Sequence, residues 1–424
     1  MHKKIQSVFV HALLVIVFMV PIAQPFTINA RETEKAKNDN EVKDYIVVLK
    51  DGEDSTKVAD EMAKHHGITY DHTYERVMKG FSAHVKNKDL SSLKKDPRVA
   101  FLSEDKEVNI FGKVEKVVTA QSQSTPSGVL RIGNPASGDG GAAIGVAVLD
   151  TGIDLTHPDL AANIAAANKS CIPKKTAHDD NGHGSHVAGT IAAINNGQGV
   201  IGVAPDVRLF SVKVLNSQGS GTWSSIICGI DWVTANASKY NIKVANMSLG
   251  GTGTSDNNCG NTNGDALHKA ICKSRDAGVT YVVAAGNGSA NAANTVPAAY
   301  DDAVITVSAL ADSDGKAGGT GPTTSYGPDD TFASFSNYGS VVDIAAPGVS
   351  ILSTYKSGGY ATLSGTSMAT PHVTASAALY LESHPLATWT QVRDGLKSIA
   401  ETVNNGHTDP SGNHPEPVLN ITAL

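Results

Sequence analysis

The sequence predicts an α/β fold with a doubly wound, mostly parallel sheet and helices on both faces, preceded by a small α+β domain. Three observations support this prediction. From Ala143 onward, short β-rich runs alternate with stretches of helical spacing, which is typical of a parallel sheet covered on both sides. The 424 residues are 41% hydrophobic, enough for a large core, and 41 glycines suit many tight turns. A shorter alternation of strands and helices fills residues 43–110.

The predicted elements follow from these runs. In the small domain, strands are expected at 44–50, 80–85 and 99–102, and helices at 55–66 and 90–95. In the larger domain, residues 125–424, strands are expected at 144–149, 207–215, 244–248, 279–284 and 304–309. Helices are expected at 183–194, 224–237, 265–277, 368–382 and 390–403. In such a sheet, ligand sites form at the carboxyl ends of the strands.

Residues 1–30 have the pattern of a secretory signal peptide. Lys3 and Lys4 precede the apolar run Val8 to Val20, and small residues follow at Ala23 and Ala30. The apolar run is short for a membrane span, although an uncleaved anchor is the alternative. A charged linker at 31–42 follows. We therefore expect a secreted, extracellular protein.

The four cysteines of an exported chain suggest two disulfides, for which three pairings exist. Cys259 and Cys272 bracket a loop rich in Gly and Asn and the start of a helix. We therefore predict the pairs Cys259–Cys272 and Cys171–Cys228, with free buried thiols as the alternative.

Residues after 120 carry 15 basic and 23 acidic side chains, a net charge of −8, which argues against nucleic-acid binding by the main body.

Three polar residues stand out as candidates for one site. Asp150 ends the apolar run Ile144 to Leu149, where a carboxylate is costly to bury without a partner. His183 stands between glycines at the start of a predicted helix. Ser367 follows Gly365 at the start of another helix, where free backbone N–H groups and the helix dipole suit an oxyanion. The chain order Asp, His, Ser is one of the known orders of a catalytic triad.

Each candidate has an alternative. Ser367 alone would be interpreted as a plain helix cap. His186 could replace His183, but it lies one turn further into the helix. Zinc binding by these two histidines lacks the His-Glu-x-x-His spacing and a third ligand. Asp154 and Asp159 could replace Asp150, but neither ends a strand.

With these residues in place, the chain resembles the subtilisin family of serine peptidases over residues 43–404. Four stretches carry the resemblance, in the order of the family: Val148 to Ile153, Asn181 to Thr190, Ala285 to Asn287, and Gly365 to Pro371. The resemblance implies Ser367 as nucleophile, His183 as general base and then acid, and Asp150 as the residue that orients the imidazole. It also implies an oxyanion site formed by the Asn287 side-chain amide and the Ser367 backbone N–H.

The resemblance also suggests where substrate binds. Two segments of small residues, Gly219-Ser220-Gly221 and Ser248-Leu249-Gly250, would pair by backbone with an extended peptide, although both could be simple turns. Trp223 would line the pocket for the residue four positions before the cut. Ala284-Ala285-Gly286 would form a wall of the primary pocket. Few charges lie nearby in the sequence, so a broad preference for apolar or medium-sized residues is expected.

A structural Ca²⁺ site is expected at the loop Ile194 to Val200. In the family, the matching ligands are the side chains of Asp159, Asn196 and Gln123 and the carbonyls of Ile194, Gln198 and Val200. The sequence by itself leaves an ordinary Asn-Gly turn open, because only one carboxylate is present.

The resemblance further implies that residues 43–110 are an inhibitory propeptide whose end lies in the active site. Residues 113–127 lack periodicity and read as a linker or an exposed strand, and 111–124 are taken as the processing linker. Self-cleavage is expected between Val118 and Ser124. The predicted protein is a monomeric, secreted, self-processing endopeptidase of broad specificity that acts on proteins and peptides and is inhibited by its own propeptide.

Two other functions are weighed against this one. A catalytically silent, secreted calcium-binding or interaction protein on the same fold would lack a member of the triad, and none is missing. An esterase-type hydrolase would need Gly-x-Ser-x-Gly, but the fifth position is Ala369.

Overall fold

The computed structural model describes residues 38–119, 122–133 and 140–424. The predicted signal peptide at 1–30 and most of the predicted linker at 31–42 lie outside the described residues. No helix within the described ranges is both long and apolar enough to cross a bilayer.

The strands, in chain order, are β1 (Val42–Leu49), β2 (Thr73–Tyr74), β3 (Gly80–Lys86), β4 (Val99–Glu104), β5 (Glu107–Ile110), β6 (Lys113–Val118), β7 (Gly145–Asp150), β8 (Lys169–Ser170), β9 (Arg208–Lys213), β10 (Ser220–Thr222), β11 (Ile242–Met247), β12 (Leu249–Thr252), β13 (Thr280–Ala284), β14 (Thr295–Val296), β15 (Ile305–Ala311), β16 (Thr331–Phe332), β17 (Ile344–Pro347), β18 (Ile351–Tyr355) and β19 (Gly359–Ser364). The helices that lie wholly within the described residues are α1 (Ser55–His66), α2 (Asn87–Lys95), α3 (Ser127–Arg131), α4 (His183–Ala192), α5 (Trp223–Tyr240), α6 (Ala266–Asp276), α7 (Thr366–Ser383) and α8 (Trp389–Ile399).

The small N-terminal domain is an antiparallel sheet in the order β2-β3-β1-β4, with α1 and α2 on one face. Strand β1 shows why this domain binds the rest of the chain. Its alternate side chains point to opposite faces, so Val47 and Leu49 pack with α1 and α2. Ile46 and Val48 belong instead to a core shared with the larger domain. Both faces of β1 are therefore buried.

The larger domain is built on a sheet in the order β16-β15-β13-β11-β7-β9-β8, with β17 paired to β15. All of its pairs are parallel except that of β15 with β16. The chain places β9 on one side of β7 and β11 on the other, so the carboxyl end of β7 is a switch point where ligands bind in such sheets. The predicted α/β fold is confirmed.

Helices cover both faces of this sheet. On β7, Val146 and Val148 face the core that contains α4 and α7, whereas Ala147 and Leu149 face the core that contains α5 and α6. A parallel strand that is buried on both faces appears in sequence as an uninterrupted apolar run, which is why β7 was predictable.

Two disulfides join Cys171 to Cys228 and Cys259 to Cys272. The predicted pairing is confirmed, and no free cysteine is left.

The main differences from the sequence predictions lie in short strands. Residues 113–118 form the exposed strand β6, which pairs antiparallel with β19, so of the two interpretations of this stretch the exposed strand is the one that these residues adopt. Strands β17, β18 and β19 were not predicted. The last two mix apolar residues with Ser, Thr and Gly, and the pairing of β19 with β6 joins segments that are distant in sequence.

Candidate active site

Asp150 and His183 form a buried pair at the switch point of the sheet. Asp150 is the last residue of β7 and is fully buried. His183 opens α4, and its Nδ1 lies 2.8 Å from Asp150 Oδ1 and 3.0 Å from Oδ2. The Thr151 N–H also donates to Oδ1, at 2.7 Å. This arrangement favours the tautomer of His183 that carries its proton on Nδ1, so that Nε2 can accept one.

Asp179 holds the loop that leads into His183. Its Oδ1 accepts the backbone N–H groups of Asn181 and Gly182, both at 2.9 Å, and its Oδ2 accepts that of Ser185 at 3.0 Å. Gly182, the N-cap residue, has no side chain that could accept the first helical N–H groups. Asp179, which lies outside the helix, caps it instead. Sequence reasoning missed this role, although an acidic residue just before a helix start was a visible signal.

His186, the alternative to His183, is a structural residue. Its Nε2 faces the carbonyls of Ile351 at 2.9 Å and Ala361 at 3.1 Å. Burial lowers the pKa of His186 to about 3, so the ring is neutral at physiological pH. Because His183 faces Asp150 while His186 faces backbone carbonyls, the two rings do not converge on a common metal position.

Ser367 is the second residue of α7, which begins at Thr366 after an N-cap at Gly365. Pro371 is the sixth residue of this helix and lies beyond its first turn. Its missing N–H would have bonded to the carbonyl of Ser367. The hydroxyl of Ser248 donates to that carbonyl instead, at 2.9 Å. A residue predicted to bind substrate therefore also completes the helix that carries Ser367.

The Ser367 hydroxyl lies between two backbone groups. It donates to the carbonyl of Ser248 at 2.9 Å and accepts the N–H of Phe111 at 3.0 Å. The buried Nε2 of His183 has no hydrogen-bond partner among the described residues. The hydroxyl therefore makes no hydrogen bond to the imidazole and must leave the Ser248 carbonyl before His183 can take its proton.

Asn287 meets the carbonyl of Phe111. Its Nδ2 donates to that oxygen at 2.7 Å. Its Oδ1 accepts the N–H and the hydroxyl of Thr366, at 2.9 and 2.8 Å, which fixes the orientation of the amide. A Cβ at Gly365 would overlap the same Phe111 oxygen, so glycine at this position keeps room for the carbonyl. The second predicted donor, the Ser367 N–H, stays a prediction.

The end of the small domain lies in the cleft as an extended strand. Strand β5 fills the gap between β10 and β12 and pairs antiparallel with both. Asn109 lies opposite Ser220 and Gly250, and the Ile110 N–H donates to the carbonyl of Gly219 at 3.1 Å. The other pairs are Val108 with Gly221 and Ile110 with Leu249. The two predicted peptide-binding segments therefore do flank an extended chain.

Trp223 lies beside the same strand. Its backbone N–H donates to the carbonyl of Lys106 at 2.9 Å, and the Lys106 ammonium lies 4.7 Å from the centre of the indole ring. Counting back from the Phe111–Gly112 bond with Phe111 as the first residue, the fourth residue is Val108. It is fully buried in the core that includes Trp223. The role of Trp223 in a pocket for this residue stays a prediction.

The Phe111–Gly112 bond lies against the catalytic candidates. A Cβ at Gly250 would come 2.7 Å from the Phe111 ring, so this ring lies directly on the Gly250 backbone. A Cβ at Gly112 would come 2.8 Å from His183 Nε2. The residue after the bond therefore lies against the imidazole, and sequence reasoning missed both Phe111 and Gly112. An aromatic residue followed by glycine at the end of the small domain was the available signal.

The predicted wall of the primary pocket comes from the end of β13. Ala284 and Ala285 are fully buried, and Gly286 turns the chain with φ of 105° into Asn287. The Gly286 N–H donates to the Thr366 hydroxyl at 3.2 Å, which ties this turn to α7. A contact with the Phe111 ring stays a prediction.

Lys213 is a buried residue next to the site that sequence reasoning did not identify. It lies opposite Asp150 in the β7–β9 register and is fully buried. Its ammonium donates to the carbonyl of Thr151 and, at 2.7 Å, to Asp180 Oδ1. It thus neutralises Asp180 and braces the turn after β7.

The six residues predicted to bind calcium lie on neighbouring segments, and the position of the Gln198 carbonyl in the site stays a prediction. The amide nitrogen of Gln123 is 2.8 Å from the carbonyl of Ile194 and 3.2 Å from that of Val200, so these two carbonyls point to one place. The fully buried carboxylate of Asp159 accepts the Asn196 amide at 2.9 Å. The Gln198 N–H donates to the side chain of Asn196 at 2.8 Å. The carboxylate of Asp159 and the carbonyls of Ile194 and Val200 are oxygen ligands that suit a hard cation such as Ca²⁺. The amides of Gln123 and Asn196 face these oxygens with their nitrogens, so both side chains would have to turn their oxygens inward to bind the ion.

A buried Asp–His pair, a serine at a helix N-terminus and an amide on a peptide carbonyl make up the constellation of a serine peptidase. Comparisons with known proteins agree. The subtilase family model matches residues 141–413, and the peptidase inhibitor I9 model matches residues 44–111. The chain belongs to the subtilase family and is a serine endopeptidase with an N-terminal inhibitor domain.

Individual relatives support this assignment. Subtilisin NAT of Bacillus subtilis subsp. natto is 42% identical over 332 residues, which cover 76% of each chain. An alkaline protease of Alkalihalobacillus alcalophilus is 39% identical over 334 residues, covering 78% of this chain and 76% of the relative. The crystal structure of a cold adapted subtilisin-like serine proteinase matches with a TM-score of 0.55 and 35% identity, over 69% of this chain and 97% of the other.

Proposed function

We propose that this chain is a secreted endopeptidase of broad specificity that processes itself, with Ser367 as nucleophile, His183 as general base and acid, Asp150 as the orienting carboxylate and Asn287 as an oxyanion donor. The position of Phe111 carries the proposal. Its carbonyl accepts the Asn287 amide at 2.7 Å while its N–H meets Ser367 Oγ, so a peptide bond already lies where these groups can act on it.

The steps follow from these contacts. Ser367 Oγ leaves the Ser248 carbonyl, gives its proton to His183 Nε2 and attacks the carbonyl carbon of Phe111. The oxygen that becomes negative is stabilised by the Asn287 amide. His183 then protonates the nitrogen of Gly112, and the C–N bond breaks. Water, deprotonated by His183, hydrolyses the acyl-enzyme and restores Ser367. Asp150 stabilises the imidazolium in both halves of the reaction.

The proposed processing site is the Phe111–Gly112 bond rather than the expected window from Val118 to Ser124. Three observations support the change. Phe111 is in contact with Ser367, the inhibitor-type domain match ends at residue 111, and Val118 is the end of strand β6. Strand β5 would remain after the cut as a product-like inhibitor.

Expression of the full chain with Ser367→Ala tests this proposal. We expect the variant to accumulate uncut between the two domains, whereas the wild-type protein yields an N-terminus at Gly112 in the earliest processed species. N-terminal sequencing and intact mass would identify both products. Casein hydrolysis by the Ser367→Ala protein at the wild-type rate would contradict the mechanism, and a first cut downstream of Val118 would contradict the site.

Secretion is supported by the signal pattern at 1–30 and by the two disulfides, which persist in oxidising compartments. We expect the processed protein in the medium of an expressing host and as a monomer. The preference in the primary pocket should include Phe, because Phe111 lies there.

We also propose that Asp159, Asn196 and Gln123, with the carbonyls of Ile194, Gln198 and Val200, hold a structural Ca²⁺. A bound ion would balance the buried charge of Asp159 and join the segment around Gln123 to the loop after α4. At a free Ca²⁺ concentration about 100 times the dissociation constant of the site, binding would add about 2.7 kcal/mol to the free energy of unfolding.

A chelator tests the calcium proposal. We expect EDTA to lower the unfolding temperature of the processed enzyme and CaCl₂ to restore it. Asp159→Asn should abolish this difference, while Asp394→Asn, an exposed control on α8, should keep it. Equal unfolding temperatures with and without chelator would reject the site.

A further inference from the structure

Strand β6 continues the chain beyond the Phe111–Gly112 bond along the edge of β19. The two strands are antiparallel, with Lys113 opposite Ser364 and Val118 opposite Tyr360. Strand β19 leads directly into Gly365 and Ser367. The chain that enters the cleft as β5 therefore leaves it as a second paired strand, on the leaving-group side of the bond.

Glu115 is the residue of β6 whose side chain has hydrogen bonds to the larger domain. One carboxylate oxygen accepts the hydroxyl of Ser350 at 2.8 Å, and the other accepts that of Ser364. By contrast, the side chains of Val114 and Val117 are turned to solvent, with 45% and 60% of their surface exposed. Recognition along this strand thus combines backbone pairing with one carboxylate.

The backbone directs Glu115 to these hydroxyls. The register between β6 and β19 shifts between Thr362 and Leu363, whose partners are Lys116 and Val114, so Glu115 is the extra residue of a bulge. A bulge turns its side chain away from the regular alternation of the strand.

The hydroxyl of Ser364 can only donate to Glu115. Its oxygen accepts the backbone N–H of Ser350 at 2.7 Å, so its single proton is left to point at the carboxylate. Two hydroxyl donors suit a carboxylate, which only accepts, better than an amide, whose nitrogen can only donate. A Gln side chain could accept the proton of Ser364 and donate to the oxygen of Ser350, but these hydrogen bonds lack the negative charge of the carboxylate and are weaker.

We propose that the edge of β19, with the hydroxyls of Ser350 and Ser364, is a substrate subsite that takes an extended chain carrying a carboxylate at the fourth residue after the cleaved bond. Glu115 is its first occupant, as the fourth residue after Phe111. The proposal rests on the proposed function, because it assumes that Ser367 cleaves at this place.

The test uses the processed enzyme from the full chain and two internally quenched peptides. Both contain Val-Asn-Ile-Phe followed by Gly-Lys-Val-Glu-Lys-Val-Val, and one has Gln in place of Glu at the fourth position after the Phe–Gly bond. We expect kcat/KM to be higher for the Glu peptide by about three- to tenfold, the range for hydrogen bonds to a partly exposed charge. A segment of the enzyme's own chain left in the subsite would compete equally with both peptides, so it does not alter this ratio.

Ser350→Gly should bring the ratio close to one. Ser350 has φ of 52°, which glycine adopts without strain, so the substitution removes the hydroxyl with little change to the backbone. Ser357→Gly is the matched control, because Ser357 lies exposed in the turn between β18 and β19 with φ of 60°. The control should keep the preference for Glu.

The outcomes separate this inference from the proposed function. Val-Asn-Ile-Phe p-nitroanilide occupies only the side before the cut. If it is cleaved but the Glu and Gln peptides have equal kcat/KM, or if Ser350→Gly keeps the Glu preference, the subsite is rejected and the endopeptidase stands. If neither the anilide nor the peptides are cleaved, the proposed function fails.

Discussion

At the scale of single residues, the site depends on buried polar groups whose partners come from distant segments. Asp150 is tolerated at the end of an apolar strand because His183 and the Thr151 N–H face it. Asn287 is held by Thr366, next to the proposed nucleophile Ser367. Each polar side chain is thus oriented by its neighbours before substrate arrives, which is the condition for electrostatic catalysis.

Asp312 gives a prediction at the same scale. Its carboxylate is 2% exposed and accepts the Gly315 N–H. Burial, reinforced by the charge of Asp330, raises the pKa of Asp312 to about 7. Since the pKa is about 4 in the unfolded chain, the protonated group contributes stability that is complete below about pH 4 and lost as the pH rises to about 7.

Asp312→Asn should remove this dependence. The measurement is urea unfolding in a Ser367→Ala background, which prevents autolysis. The free energy of unfolding of Asp312→Asn is compared with that of the protein that keeps Asp312. We expect this difference to favour the variant more at about pH 8 than at about pH 4, by roughly 2–4 kcal/mol. Asp314→Asn, in the same turn, controls for the change in net charge. A gain for Asp312→Asn that does not vary with pH would contradict the assignment.

At the scale of elements, α7 shows how a helix interruption is compensated from outside. Pro371 removes one helical hydrogen bond, and the Ser248 hydroxyl donates to the carbonyl of Ser367 in its place. This contact links the residue before β12, which flanks β5, to the helix that carries Ser367. The hydrogen bond that replaces the missing helical bond therefore fixes the position of one element relative to the other.

Ser248→Ala tests that link. The Ser367 carbonyl would lose its donor, and an unsatisfied buried acceptor costs about 1–3 kcal/mol in the free energy of unfolding. Ser376→Ala is the matched control in the same helix. The Ser376 hydroxyl donates to the His372 carbonyl, but that carbonyl also accepts a helical backbone N–H and so keeps a donor when the hydroxyl is removed. Chemical unfolding of both variants in the Ser367→Ala background measures the difference, and equal losses would contradict the role of Ser248.

At the scale of the whole molecule, the small domain is held by more than its tail in the cleft. Asp231 on α5 accepts the backbone N–H groups of Glu75, Arg76 and Val77, at 3.1, 2.6 and 2.9 Å. The small domain thereby docks on the outer surface of α5 while β5 blocks the site. Inhibition should persist after the proposed cut, because these contacts do not involve the Phe111–Gly112 bond.

Asp231→Ala should weaken this inhibition. Loss of the shared carboxylate leaves three N–H groups without their partner, and we expect the inhibition constant of the small domain to rise by about 10- to 100-fold. Active-site titration during processing would show earlier release of activity. Asp276→Ala, at the exposed end of α6, is the control, and an unchanged inhibition constant for Asp231→Ala would show that β5 alone determines binding.

The sequence by itself determined the layered α/β fold, the two disulfides and the candidates Asp150, His183, Asn287 and Ser367. The fold, Asp150, His183 and Ser367 follow from local signals, namely uninterrupted apolar strands, helix starts and glycines beside polar residues. The disulfides follow from the spacing of the cysteines, and Asn287 is what the resemblance to the family implies. The tertiary structure was needed to show that Phe111 and Gly112 lie at Ser367, that Ser248 compensates for Pro371 and that β18 and β19 are strands. Such features depend on pairing between segments far apart in the chain, and the local sequence of each segment does not encode its partner.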